Sequence, residues 1–157
     1  MAQSQNRWYL ICLVNSSLDK ENEFTINKRI GKINNLPTER IQSIDITESE
    51  YINSKIDIFK YLDKTIGVSI DWQNPEIFDL KIQVNDNLVK YFETNPLINL
   101  GSTNKGNVFT YNKVIKSLEL KSKILSYGSN IKILEPISFK EEIKKEIEKM
   151  NSIYYKL

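Results

Sequence analysis

The sequence predicts a two-part α+β protein: a small antiparallel sheet or barrel with a closing helix over residues 1–70, then a β-α-β-β-α-β unit with a terminal helix over residues 77–157. Three observations predict it. Strand-like runs fill residues 7–47 with no helical periodicity between them. At Ile56 the apolar spacing changes from alternation to helical. Beyond Asn74-Pro75, strand and helix patterns succeed one another in the order of two interleaved βαβ crossovers.

Each element has its own signal. Residues 7–15 (RWYLICLVN) are a continuous apolar run with aromatics, suited to a buried strand, and the polar stretch 16–22 is a loop. Residues 23–30 alternate through Phe24 and Ile26, then break at Asn27-Lys28, which predicts a bulge. Residues 40–47 (RIQSIDIT) are expected as a third strand. Ile56, Phe59, Tyr61, Leu62 and Ile66 form a helical face stopped by Gly67, and residues 69–76 read as a linker. In the second unit, strands are expected at 78–84, 97–100, 108–115 and 131–134. Helices are expected at 86–94 and 117–127, with Asp86 and Ser117 as N-caps and Gly128 beyond the second helix. Ser138 and Glu141 have the spacing of a capping box that opens the last helix, whose apolar stripe is Phe139, Ile143, Ile147, Met150 and Tyr154. The β-α-β-β-α-β order is that of a ferredoxin-like unit.

Composition narrows the function. Of 157 residues, 40% are hydrophobic and 27% charged, within the globular range. No apolar run reaches the ~18 residues of a bilayer span, and Met1–Asn6 is too polar for a leader, so no membrane partner is expected. The single cysteine, Cys12, has no internal disulfide partner and reads as a small buried hydrophobe, consistent with a reducing, cytoplasmic setting. The net charge of +2 is too balanced to argue for nucleic acid by itself. Histidine is absent, which removes His-dependent nucleophile systems and histidine metal sites, and the five glycines make no phosphate loop. Neither a catalytic site nor a metal or cofactor is expected; Asp45, Glu48 and Glu50 lie close in sequence without the marks of a catalytic pair.

Trp8-Tyr9-Leu10, the segment Phe24-Thr25-Ile26-Asn27-Lys28-Arg29-Ile30, the helix ending at Gly67, and Leu134-Glu135-Pro136 before a charged helix occur in an order that resembles the WYL domain family with its C-terminal extension. Thr25 stands where that family has a basic residue, and Asn27-Lys28 is one residue longer. The resemblance implies an Sm-like or SH3-like β-barrel over residues 1–70 and a ferredoxin-like extension over 77–157. It also implies an effector-sensing and oligomerising role in a bacterial transcription regulator. With seven residues before Trp8, the chain holds neither the two further strands nor the helix-turn-helix that such regulators carry upstream. The expectation is therefore a truncated barrel with an open strand edge, a homodimer, and duplex DNA contacts only through a helix-turn-helix outside this chain.

The candidate ligand contacts are Tyr9 and Arg29, with Arg7 and Lys28 behind them. A guanidinium grips phosphate bidentately and a tyrosine ring can stack a base, so the implied ligand is a small anionic or nucleotide-like effector. Trp8 and Tyr9 face opposite sides of a strand, so Trp8 is expected in the core and Tyr9 at the pocket. The plainer readings are Tyr9 as core and Arg29 as a surface residue paired with Asp45 or Glu23. The Lys/Glu run of the last helix reads as a solvated face with i,i+4 pairs. Two other functions stay open: a single-stranded nucleic-acid binder, and an interaction module without a ligand.

Overall fold

The computed structural model describes residues 2–4, 7–13, 33–46, 48, 59–98 and 102–155. They form an α+β structure with two antiparallel sheets.

The first sheet has strands β1 (Ala2–Ser4), β2 (Arg7–Leu13) and β3 (Ile33–Pro37) in that spatial order. Tyr9 stands between Ala2 and Pro37, Leu10 opposite Leu36, and Ile11 opposite Asn35. Within the apolar run, Arg7–Leu13 thus makes the central strand of these three. These three strands do not close into a barrel.

A strand lies at Ile33–Pro37, where none is expected, and residues 41–46 of the expected strand 40–47 have no regular structure. Two asparagines and a proline give INNLP poor strand propensity. Pairing with β2 overrides it, and Pro37 then ends the strand in a 3-10 turn, Thr38–Arg40. Beyond it, no described element covers Ile44 and Ile46, and Ile46 is fully exposed (100%). The expected strand and bulge at 23–30 lie outside the described residues. Of the expected helix, α1 spans Phe59–Leu62, ending before Gly67.

The second sheet contains β4 (Ile77–Val84), β5 (Thr103–Lys105), β6 (Val108–Ile115) and β7 (Ile131–Glu135), in the order β5-β6-β4-β7, with all neighbours antiparallel. The helices are α2 (Val89–Thr94), α3 (Leu118–Ser126) and α4 (Ile137–Tyr154). β4 and β5 are separated by β6, and β6 and β7 by β4, so the two crossovers interleave as the sequence order predicts. The second strand of this unit is Thr103–Lys105, not 97–100. Leu97 and Ile98 plug the core instead, where the Leu97 N–H donates to the buried Tyr111 Oη at 3.1 Å. Gly106, at φ +60°, takes the first place of the two-residue turn that pairs Lys105 with Val108.

Alternation on β4 sends Leu80, Ile82 and Val84 into one core. Phe109 and Tyr111 of β6 join them, after which a bulge resets the register so that Val114 also points inward. Lys113 sits at that bulge with φ 54°, and its N–H is held by Asp79 Oδ1 at 2.8 Å. Phe92 from α2, Leu120 and Ile124 from α3, and Phe139 and Ile143 from α4 close the layer. Each such side chain contributes about 1.5–3 kcal/mol by burial.

Ser117 caps α3 as expected, accepting from the Leu120 N–H at 3.0 Å, and Gly128 follows that helix at φ +56°. Two other caps differ. Asn85, not Asp86, precedes the first helical turn, and the Asp86 carboxylate accepts instead from Asn107. Helix α4 starts at Ile137 directly after Pro136, with no side-chain cap, so Ser138 lies within its first turn. The expected stripe of α4 is only half buried: Phe139 and Ile143 are inside, while Ile147, Met150 and Tyr154 are exposed. The reason is length. Eighteen helical residues extend about 27 Å, whereas the five residues of β7, the strand the helix packs against, extend about 17 Å, so the helix outruns that strand.

No helix among the described residues is long and apolar enough to cross a membrane.

Candidate ligand-binding face and the seam behind it

Arg7, Tyr9 and Ile11 share one face of β2 by alternation, and Asn35, opposite Ile11, continues that row onto β3. Tyr9 is half-buried. Arg7 Nε lies 3.4 Å from Glu39 Oε1 of the 3-10 turn, an exposed pair that leaves the guanidinium accessible. Arg29 and Lys28 lie outside the described residues. The structure therefore brings together Tyr9 and Arg7 of the four candidates.

Trp8 is not a core residue. It is 51% exposed, on the opposite face from Tyr9 and across from Gln3 of the three-residue edge strand, where there is little to cover an indole. Cys12, on the same face as Trp8, is half-buried rather than fully enclosed, and burial raises its thiol pKa.

The row through Asn35 leads to a seam that the sequence reading placed in a linker. Trp72 is only 2% exposed, and its Nε1–H donates to Asn35 Oδ1 at 2.9 Å. The Asn35 amide nitrogen donates in turn to the carbonyl of Val68, itself buried. One asparagine thus satisfies two groups of the 68–72 segment from the first sheet.

The same segment is gripped from the other side. Glu119, in the first turn of α3 and almost completely buried, accepts from the N–H groups of Val68 at 3.1 Å and Ser69 at 3.2 Å, and from Ser69 Oγ at 2.8 Å. Charge-assisted bonds of this kind, at a helix N-terminus, make a buried carboxylate tolerable. Gly67 allows the approach: its φ is +78°, and an added Cβ would stand 2.2 Å from Glu119 Cδ. Ser117 Oγ donates to the Ile66 carbonyl at 2.6 Å, and the Ile115 N–H donates to the Lys64 carbonyl at 2.7 Å.

Beside the seam runs an ion-pair clamp. Lys116 Nζ reaches Glu142 at 2.7 Å and Glu76 at 3.1 Å; Lys121 Nζ reaches Glu146 at 2.9 Å and Glu142 at 3.6 Å. Hydrogen bonding to Glu142 raises the Lys116 pKa, and Glu146 does the same for Lys121. Burial pushes the Glu142 carboxyl up, but Lys116 and then Lys121 overcome this and hold it below the ordinary carboxylate value. Lys121 likewise lowers Glu146. Part of the Lys/Glu run of α4 is therefore a tertiary clamp. The pairs within the helix, Lys144–Glu141 and Lys149–Glu146, are spaced i,i+3.

Asn35, Trp72 and Glu119 are the residues that sequence reasoning missed. Trp72 carried a signal: a lone tryptophan amid Asp71, Gln73 and Asn74 is costly to leave in a solvated linker. Asn35 and Glu119 carried none, because their partners are backbone groups and a ring brought near only by the fold.

In comparison with known proteins, the chain matches no protein-family model and no curated protein.

Proposed function

We propose that this chain is the effector-sensing and oligomerisation part of a WYL-type transcription regulator, working in the cytoplasm by binding and not by catalysis. In this reading the first sheet belongs to an Sm-like barrel, and the interleaved four-stranded unit is a ferredoxin-like extension. One observation supports a sensing role above the others: the row that carries Arg7 and Tyr9 continues into Asn35, which bonds both Val68 and Trp72. A ligand that shifts this face acts directly on the seam, and through Glu119 on α3. The ligand is small and anionic or nucleotide-like, with its phosphate on Arg29 and Arg7, Lys28 adding charge, and its base on Tyr9.

The test is a titration of the chain with a nucleoside monophosphate, a nucleoside triphosphate and a short oligothymidylate, followed by fluorescence. Tyr9→Ala and Arg29→Ala should each weaken binding about tenfold or more, which is roughly 1.4 kcal/mol. Asn35→Ala should still bind but lose the ligand-induced change in amide exchange at residues 66–72. If none of these ligands binds, or if both variants bind like the parent, the reading fails.

The exposed Trp8 favours a second reading, a single-strand nucleic-acid binder that stacks bases on the indole. Here affinity should fall steeply with salt and with Trp8→Ala, whereas a pocketed effector responds to neither so strongly.

A further inference from the structure

The projecting half of α4 forms one wall of a groove of about 700 Å³. The end of α3, the turn at Gly128-Ser129, and β7 make the others. The interior is apolar, with Leu125, Ile131, Ile147, Met150 and Tyr154 among its walls. Exposed apolar surface collected in one concavity, in the size range of small-molecule sites, marks a binding place.

Its rim is charged with one sign predominant. Lys132, Lys140 and Lys144 border the groove, against the single carboxylate Glu148. Among the described residues, neither Lys132 nor Lys140 has a carboxylate within 4.0 Å, and Lys144 has only the exposed Glu141 at 3.7 Å. Lys140 and Lys144 lie one turn apart on α4, and Tyr154 lies about 21 Å further along the helix from Lys140, at 1.5 Å per residue. The groove is thus long, basic at one end and apolar towards the other.

We infer that this groove binds a single-chain anionic amphiphile, such as a long-chain carboxylate, with its head among Lys132, Lys140 and Lys144 and its tail along Ile147, Met150 and Tyr154. Lysine stems lying on apolar surface with their ammonium groups at the mouth suit such a ligand. Charge argues against a second copy of the chain as the occupant, since that copy would bring the same basic rim to the contact. The site is separate from the Tyr9 and Arg7 face and does not depend on the nucleotide reading.

The experiment is calorimetric titration of the full chain with oleate below its micelle concentration, beside its uncharged methyl ester, with molecular mass measured by light scattering throughout. One oleate per chain is expected, with the methyl ester at least about tenfold weaker. Lys140→Glu with Lys144→Glu should lose about tenfold or more in oleate affinity with an unchanged circular dichroism spectrum. Met150→Asp, on the exposed end of the helix, should weaken oleate and ester alike. Three outcomes would overturn the proposal: no saturable binding, equal binding of oleate and ester, or a dimer that Met150→Asp converts to monomer and that oleate does not dissociate.

Discussion

The two sheets of this protein are stabilised in different ways. The four-stranded sheet is covered by three helices, and a contiguous apolar cluster runs from Leu80 through Phe92 and Phe109 to Phe139 and Ile143. In the three-stranded sheet only Ile33 is buried among the described apolar residues; the sheet is tied to the rest through Asn35, Trp72 and the backbone of Val68. One region is a packed scaffold. Among the described residues, the other is tied by polar bonds from Asn35 and carries no buried apolar cluster of its own, and regions with few buried apolar contacts open at lower free-energy cost. A surface that must respond to a ligand belongs on the second kind.

The largest contrast should come from truncating one aromatic in each region. Phe92 is fully buried against Phe109 and Tyr127, at ring separations of 5.6 Å and 5.1 Å. Phe92→Ala should cost about 3–5 kcal/mol in urea unfolding, and Trp8→Ala about 0.5 kcal/mol or less. Comparable losses would erase the distinction between the two regions.

A pair of glycines sharpens the role of the seam. Gly67 and Gly106 both have positive φ, but an added Cβ at Gly106 meets nothing within 4 Å, while at Gly67 it strikes Glu119. Gly106→Ala should cost about 1–2 kcal/mol from backbone strain alone. Gly67→Ala should cost clearly more, and should also loosen amide protection at Val68 and Ser69, the two N–H groups held by Glu119. Equal costs would mean that Glu119 swings away freely and that the seam is not a constraint.

The smallest effect concerns pH and the clamp. Glu142 and Glu146 have lowered pKa values in the fold, so their contribution is complete above the ordinary carboxylate value and disappears as pH falls through the folded one. Lys116 and Lys121 are raised, so theirs is complete below the ordinary lysine value and disappears as pH rises through the folded one. The urea midpoint should be flat between these limits and fall at both ends. In the Lys116→Met, Lys121→Met variant the midpoint should be lower at neutral pH and both falls shallower, because the pairs that shift these groups are gone.

The same contrast explains what could be read from the chain. In the second unit, local pattern and global packing agree: the alternation of Leu80, Ile82 and Val84, the Ser117 cap and the Gly128 stop each point to the structure that forms. The departures there have local causes. Leu97-Ile98 has the composition of a strand but serves as a plug, and the apolar repeat of α4 continues past the length of β7. In the first unit the agreement breaks down. INNLP does not look like a strand and is one, because β2 and Trp72 supply its reasons from outside; residues 41–46 of RIQSIDIT look like a strand and are not one, because no described element covers Ile44 and Ile46. Of the candidate ligand contacts, Arg7 and Tyr9 could be placed on one face from alternation alone. The buried polar bonds of Asn35 and Glu119 could not be foreseen, since a hydrogen bond to a distant carbonyl or amide leaves no periodicity in the sequence.

The protein's two tryptophans differ as much as its two sheets, Trp8 being 51% exposed and Trp72 2%. They give the chain two optical reporters without labelling. Trp8 emits from a wet environment and is open to a collisional quencher; Trp72 is shielded from solvent, with its indole N–H on Asn35. A ligand arriving on the sheet surface and a rupture of the joint behind it therefore carry different colours.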